Sequence, residues 1–319
     1  MSSPSPFLLM LGITGNLAFA AGALLLSFRR HSPSLGADVL VYTDCTLPEK
    51  DERLLRELGA RVMPYTPDTT SLPADYLKRF SPLALSRLEA FNLLYFYETV
   101  VWLDVDTAIQ GDISPLFTEY GPFSLALTDP HWYPDGKPGK ARINIIQDIP
   151  RFNPHAPNYN SGVMTVTRAL GDWHTLYKMC LGWLKHYGPS FRFADQGVLN
   201  MLAQHLQTTA PLLFTPLPHD VYNAHPRNPG AALAPLVHFF GPYNVWSDGR
   251  LLCAFPEWTR DYRRWLALGG SPHSGVVRHA DFCPNGPLEM LGLAVAGGQA
   301  VSDACITRGA SDDKDAKAD

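Results

Sequence analysis

The chain has 319 residues, 46% of them hydrophobic and 18% charged, a composition that buries a sizeable core and excludes whole-chain disorder and fibrous architectures. Its 26 Lys and Arg stand against 30 Asp and Glu, and the net charge of −4 without any basic cluster excludes a nucleic-acid backbone as partner. The low charge leaves neutral surface for a substrate, a partner or a membrane. In chain order, the most apolar segment comes first, at Phe7 to Phe28, and it has about the length of a membrane span. No basic residue precedes it, Gly15-Asn16 interrupts it, and Arg29-Arg30 lie only on its far side. It therefore divides into a buried strand Phe7 to Ile13, a turn at Thr14-Gly15-Asn16, and a helix Leu17 to Arg30 whose closing cations suit the negative helix end. Asp38 to Asp44 is a second apolar run ending in a carboxylate. A strand, a crossover helix and a strand imply a parallel sheet.

Ser81-Pro82 is predicted to open a helix through Leu88, Phe91 and Tyr95, because a hydroxyl caps exposed amides and proline suits the first helical position. That helix carries Arg87. Next comes Val100-Val-Trp-Leu-Asp104-Val-Asp106, a buried strand ending in two carboxylates that alternation places on one face. Such hard oxygen ligands suit Mg²⁺ or Mn²⁺, and ligands bind at the carboxyl ends of parallel strands. Taken alone, an Asp-x-Asp is also an ordinary strand-end cap. A further strand, Phe123 to Thr128, ends at Asp129. The segment His131 to Tyr159, rich in Pro, Gly and Asn and bearing Trp132 and Tyr133, is predicted to be a loop that shapes an acceptor site.

Five cysteines, Cys45, Cys180, Cys253, Cys283 and Cys305, are odd in number and lack a Cys-x-x-Cys spacing, which points to reduced thiols and a cytoplasmic setting. Leu288 to Val301 is too short to span a bilayer and is predicted to be a helix on the core, with peripheral membrane contact left open. The domain reading is 1–275 for the main domain, 276–310 for a C-terminal extension, and 311–319 for a small, charged, disordered tail.

Four motifs follow one another: the Asp104-x-Asp106 strand, Tyr159-Asn-Ser-Gly-Val163, Ala194-Asp-Gln-Gly-Val-Leu-Asn200, and His238-Phe-Phe-Gly-Pro-Tyr-Asn-Val-Trp246. In that order they resemble glycosyltransferase family 8 over roughly residues 7 to 250. The resemblance implies a GT-A fold, an α/β Rossmann-like nucleotide-diphospho-sugar transferase with a mostly parallel sheet flanked by helices. It implies a retaining transferase that moves a hexose from a UDP-sugar to a glycan, lipid-linked or protein acceptor. Asp104, Asp106 and His238 look like the ligands of Mn²⁺ or Mg²⁺ on the donor diphosphate, and Arg87 like a donor contact.

Asp129, Asn160, Asp195 and Gln196 look like the groups that hydrogen-bond donor-sugar hydroxyls. Asn160 also suits a simple turn, and Asp195 a helix cap. Arg87, Asp195 and Gln196 are the catalytic candidates. A neutral amide is a poor nucleophile, so the expectation is same-face displacement assisted by a leaving phosphate oxygen, with Asp195 as the reserve nucleophile. Two positions depart from the family. Thr14 or Asn16 stands where an acidic residue would meet the uracil or ribose. Asn244, three residues after Gly241, stands where a Lys would meet the diphosphate, and Arg227 or Arg250 is the candidate replacement. That departure keeps a non-catalytic sugar-nucleotide or glycan-binding relative as an alternative. A metal-dependent phosphatase with Asp104 as nucleophile is a weaker one, because Thr107 is out of register for it.

Overall fold

The apolar runs read from the sequence line up as the centre of a six-stranded sheet of order β3-β2-β1-β4-β7-β6. The strands are β1 (Phe7–Ile13), β2 (Asp38–Thr43), β3 (Ala60–Pro64), β4 (Thr99–Leu103), β6 (Phe123–Leu127) and β7 (Tyr159–Thr167). The computed structural model describes residues 5–70, 72–74, 77, 81–133 and 135–275. The extension at 276–310, the tail at 311–319, the Leu288 to Val301 stretch, Cys283 and Cys305 lie outside them.

The first four strands in space are parallel, with Leu9 beside Val39 on one side and Val101 on the other. β7 then runs antiparallel to β4, pairing Leu103 with Val163, and β6 antiparallel to β7. Strands of a sheet covered on both faces are apolar at every position, and β1 shows this directly. Leu9, Leu11 and Ile13 enter one core with Phe19 and Phe28, while Leu8 and Met10 enter the other with Phe91 and Trp102.

The first core is roofed by α1 (Ala18–His31) and, packed along it, the late helix Pro256–Ala267. The second lies under helices Glu89–Leu93, Trp173–Tyr187 and Ala194–Thr209. With the surface helix Glu49–Glu57 counted second, these are α2 to α6 in chain order: α2 Glu49–Glu57, α3 Glu89–Leu93, α4 Trp173–Tyr187, α5 Ala194–Thr209 and α6 Pro256–Ala267. A small antiparallel pair, β5 (Thr107–Ile109) with β8 (Leu236–His238), leaves the sheet beyond β4 and sets Thr107 opposite His238.

Phe7 to Phe28 divides as expected, with a 3₁₀ turn at Gly15–Leu17 between strand and helix. Among the described residues no helix is long and apolar enough to cross a membrane. Ser81 caps as expected, its hydroxyl accepting from the Leu83 amide at 3.2 Å. The segment that follows differs from the expected α-helix. Pro82–Leu88 is 3₁₀ and α3 begins only at Glu89, ending before Tyr95. The Ser86 hydroxyl donates to the Leu83 carbonyl at 2.7 Å, a local bond that competes with the α-helical ladder. β4 also stops at Leu103 rather than running to Asp106. Cys45 and Cys180 are free thiols.

Candidate active site

Asp104 and Asp106 flank Val105 in the tight connection between β4 and β5, so a turn rather than strand alternation brings their carboxylates to one place. The third residue arrives from β8. His238 Nε2 lies 3.1 Å from Asp106 Oδ1 and 3.9 Å from Asp104 Oδ2. One ligand atom from each residue lies within 4.8 Å of the other two.

The orientation of His238 is set from behind. Asn223 donates from Nδ2 to the Leu127 carbonyl at 2.9 Å, which turns its Oδ1 to His238 Nδ1 at 2.9 Å. Nδ1 therefore carries a hydrogen toward Asn223, which leaves Nε2 as the atom that faces the two carboxylates. Three electron-rich atoms facing one point, one of them oriented by an amide behind it, fit a divalent cation such as Mn²⁺ or Mg²⁺. Burial opposes charge on His238, yet Asp106, and less strongly Asp104, raise its pKa. Burial pushes the Asp106 carboxyl up, but the His238 imidazole holds it below the ordinary carboxylate range. Gly162 makes the approach possible. A Cβ there would meet His238 Cε1 at 2.1 Å and Asp104 Oδ2 at 2.9 Å.

Arg87 sits beside this triad with its side chain only 10% exposed. Its guanidinium pairs with Asp104 Oδ1 at 3.0 Å and Asp195 Oδ2 at 2.5 Å, and donates to the Ser161 carbonyl at 2.9 Å. It lies over the Trp102 ring, 5.0 Å from the centroid, while the Trp102 indole N–H donates to Asp104 Oδ1 at 2.8 Å. Burial, reinforced by Asp104, raises the Asp195 carboxyl above its ordinary range against the pull of Arg87 and Ser161. Gln196, next to it at the start of α5, donates to Asn144 Oδ1 at 2.8 Å, and Asn144 donates to Asn158 Oδ1 at 2.7 Å. Asn160 accepts from the Gly162 amide at 2.7 Å.

These residues line a cleft of about 300 Å³ that includes Arg87, Asp104, Asp106, Asn160, Asp195, Gln196, His238 and Gly241, with Trp132, Ile143, Phe193 and Phe240 as its apolar rim. The expected loop thus supplies Trp132 and Ile143 to the wall. Gly241 has φ +79°, and a Cβ on it would strike the Trp132 ring at 2.4 Å.

Other expected residues stand elsewhere. Asp129 is fully buried. Its Oδ1 accepts from the His131 amide, and its Oδ2 from the His225 amide and Asn228 Nδ2, at 2.8 to 2.9 Å. It ties two loops together instead of facing the cleft, because burial there demands partners from the chain itself. Thr14 donates to Asn16 Oδ1 at 2.6 Å in the loop after β1, and neither is among the residues lining the cleft. Asn244, Arg227 and Arg250 are not among the described residues that line the cleft, where Arg87 supplies the guanidinium. Three supporting residues escaped the sequence reading: Asn223, Ser161 and Trp102. Ser161 lies inside a quoted motif, Trp102 has the look of strand core, and Asn223 has no local signal at all.

The sequence matches the glycosyl transferase family 8 model over residues 8–249. No curated protein matches it. Among solved structures, the fold is similar to galactosyltransferase LgtC in complex with donor and acceptor sugar analogs, with TM-score 0.60 and 16% identity over 82% of this chain and 99% of that one. It is similar also to the bifunctional glycosyltransferase WbbM, at 0.62 and 14% over 84% and 52%, and to glycosyltransferase GlyE of Streptococcus pneumoniae TIGR4, at 0.52 and 14% over 84% and 65%. At these identities the likeness establishes the fold, which is that of the GT-A glycosyltransferases, and membership is carried by the sequence match. The chain belongs to glycosyltransferase family 8.

Proposed function

We propose that the protein moves a hexosyl group from a UDP-sugar to a hydroxyl of a glycan, lipid-linked or protein acceptor, with retention of anomeric configuration. The observation that carries this is the convergence of Asp104, Asp106 and His238 in one cleft with Arg87, Asn160, Asp195 and Gln196. Asp104, Asp106 and His238 would hold Mn²⁺ or Mg²⁺, which when bound supplies Lewis-acid neutralisation of charge on the departing diphosphate. Membership in family 8 sets the phosphatase reading aside.

The chain's own groups divide the remaining work. Arg87 bridges Asp104 and Asp195 and brings positive charge to the cleft wall. Asn160 and Gln196, each held by a hydrogen bond to the chain, are preorganised to meet donor-sugar hydroxyls. Trp132, Phe193 and Phe240 offer apolar faces that exclude water and receive sugar rings. Asp195 has one oxygen engaged by both Arg87 and Ser161, which favours same-face displacement over attack by this carboxylate. In that step the bond from the anomeric carbon to the phosphate oxygen breaks on the face where the acceptor oxygen bonds, and the acceptor proton passes to the leaving phosphate. With Asn244 at the family's Lys position and no other Lys or Arg among the described lining residues, Arg87 is the chain's own group that would meet the diphosphate charge, beside any cation held by Asp104, Asp106 and His238. The reduced thiols Cys45 and Cys180 suit a cytoplasmic setting.

The test is UDP release from a panel of UDP-sugars with and without Mn²⁺. Release that requires Mn²⁺ and falls at least about 100-fold in Asp106→Ala supports the transferase. Mn²⁺-dependent donor binding without turnover would overturn it in favour of a non-catalytic binder.

A further inference from the structure

A second concavity lies outside the cation cleft, between α4, α5 and the segment Pro150 to Ala156. At about 750 Å³ it is larger than the cleft and within the roughly 300 to 1,000 Å³ of sites that hold drug-sized ligands. Its α4 wall presents the half-buried rings of Trp183 and Tyr187, one helical turn apart. The facing α5 wall presents the exposed Gln207 and Thr208. Arg151 and His205 also line it, and among the described residues no carboxylate does.

The groove is built rather than incidental. Gln204 at its floor accepts from the Asn153 amide at 2.7 Å and donates to the Asn153 carbonyl at 3.1 Å, clamping the loop to α5. Aromatic faces take the C–H faces of pyranose rings while amides and hydroxyls pair with ring hydroxyls. The lack of carboxylates gives a basic partner nothing to hold.

Two elements run continuously from cleft to groove. α5 carries Gln196 in the first and Gln204 in the second, about 12 Å apart along the helix at 1.5 Å per residue. The chain between β6 and β7 lines the cleft with Ile143 and Asn158 and the groove with Asn153 and Ala156. We propose that this groove binds the remote neutral sugar rings of an oligosaccharide acceptor whose reacting end lies in the cleft. The proposal rests on the transferase reading and names its acceptor class.

The experiment titrates soluble neutral gluco- and galacto-oligosaccharides of increasing length, without donor, into the full chain and into Trp183→Ala and Thr208→Arg, by saturation-transfer NMR. Thr208 is exposed and its replacement blocks the groove without opening the core. Donor hydrolysis, read as UDP release without acceptor, accompanies each titration. The expected result is binding that strengthens with length in the natural protein and weakens about tenfold for the longest ligands in both variants, with UDP release unchanged. Binding that does not depend on length, or variants that bind like the natural protein, would overturn the groove. Loss of length-dependent binding in the variants of a protein that releases no UDP supports the groove and sinks the transferase reading. Equal transfer to short and long acceptors by all three proteins does the reverse.

Discussion

Asn223 turns His238 so that its Nε2 faces Asp104 and Asp106, although it touches no ligand position itself. Groups of this kind commonly account for 10- to 100-fold in metal affinity. Asn223→Ala is accordingly expected to weaken Mn²⁺ binding by about 10- to 100-fold in calorimetry while the folded spectrum persists; unchanged affinity would remove Asn223 from that role. Gly162 acts by what it lacks. Gly162→Ala is expected to push His238 from Asp104 and abolish measurable Mn²⁺ binding, with about 1 to 3 kcal/mol of destabilisation from overpacking. Retained Mn²⁺ binding in that variant would show that β7 can shift to make room. That Asp104, Asp106 and His238 belong together was legible because each sits in a motif with chemical meaning. Their supports were not. Asn223 meets His238 from 15 positions away, and Trp102 shows its hydrogen bond to Asp104 only once β4 ends at Leu103.

Among the elements, strands were easier to read than the pieces between them. Apolar runs announce buried strands because both faces of the sheet are covered, so β1, β2 and β6 were recognisable within a residue and β4 within three. Pro82–Leu88 was taken for α-helix because its cap and its proline are those of any helix start, while the competing Ser86 bond to Leu83 leaves no distinctive pattern. The same limit applies to Asp129, whose place after a strand suggested a ligand contact and whose Oδ2 partners, His225 and Asn228, come from about a hundred residues further on. α4 offers a direct test of capping. Asp172 accepts from the Thr175 amide at 3.3 Å, and Asp172→Ala is expected to lower unfolding free energy by about 1 kcal/mol. Chemical denaturation reads this directly, and a change of a few tenths or less would mean that packing against α5, not the cap, fixes where α4 begins.

For the whole molecule, His225 couples stability to pH. It is fully buried against Trp132, Phe240 and Tyr243, and burial pulls its pKa down to about 3, with Asp129 opposing and Arg227 adding to the shift. The folded protein keeps it neutral, whereas the unfolded chain takes up a proton below about pH 6.5. Stability is therefore lost progressively as pH falls below that value. Asp129, held below its ordinary range by hydrogen bonds that outweigh burial, adds a loss at more acidic pH. His238 acts in the opposite sense, since its raised pKa gives stability at low pH that disappears as pH rises. Comparing urea midpoints of the natural protein and His225→Phe from about pH 8 to 4.5 isolates the first contribution. The variant is expected to lose stability less steeply below about pH 6.5, and parallel curves would refute the coupling.

One arrangement would tie a cation in the cleft to the mechanics of the chain. The Asp104 amide is bonded to Gly162 at the end of the large sheet, and the Asp106 carbonyl accepts from Phe239 at the end of the small one, each at 2.8 Å. Asp104, Asp106 and His238 therefore straddle a seam between two separately hydrogen-bonded sheets. An ion held there as proposed above would bridge that seam, and by binding the closed arrangement alone it would make local opening of β5 from its neighbour rarer.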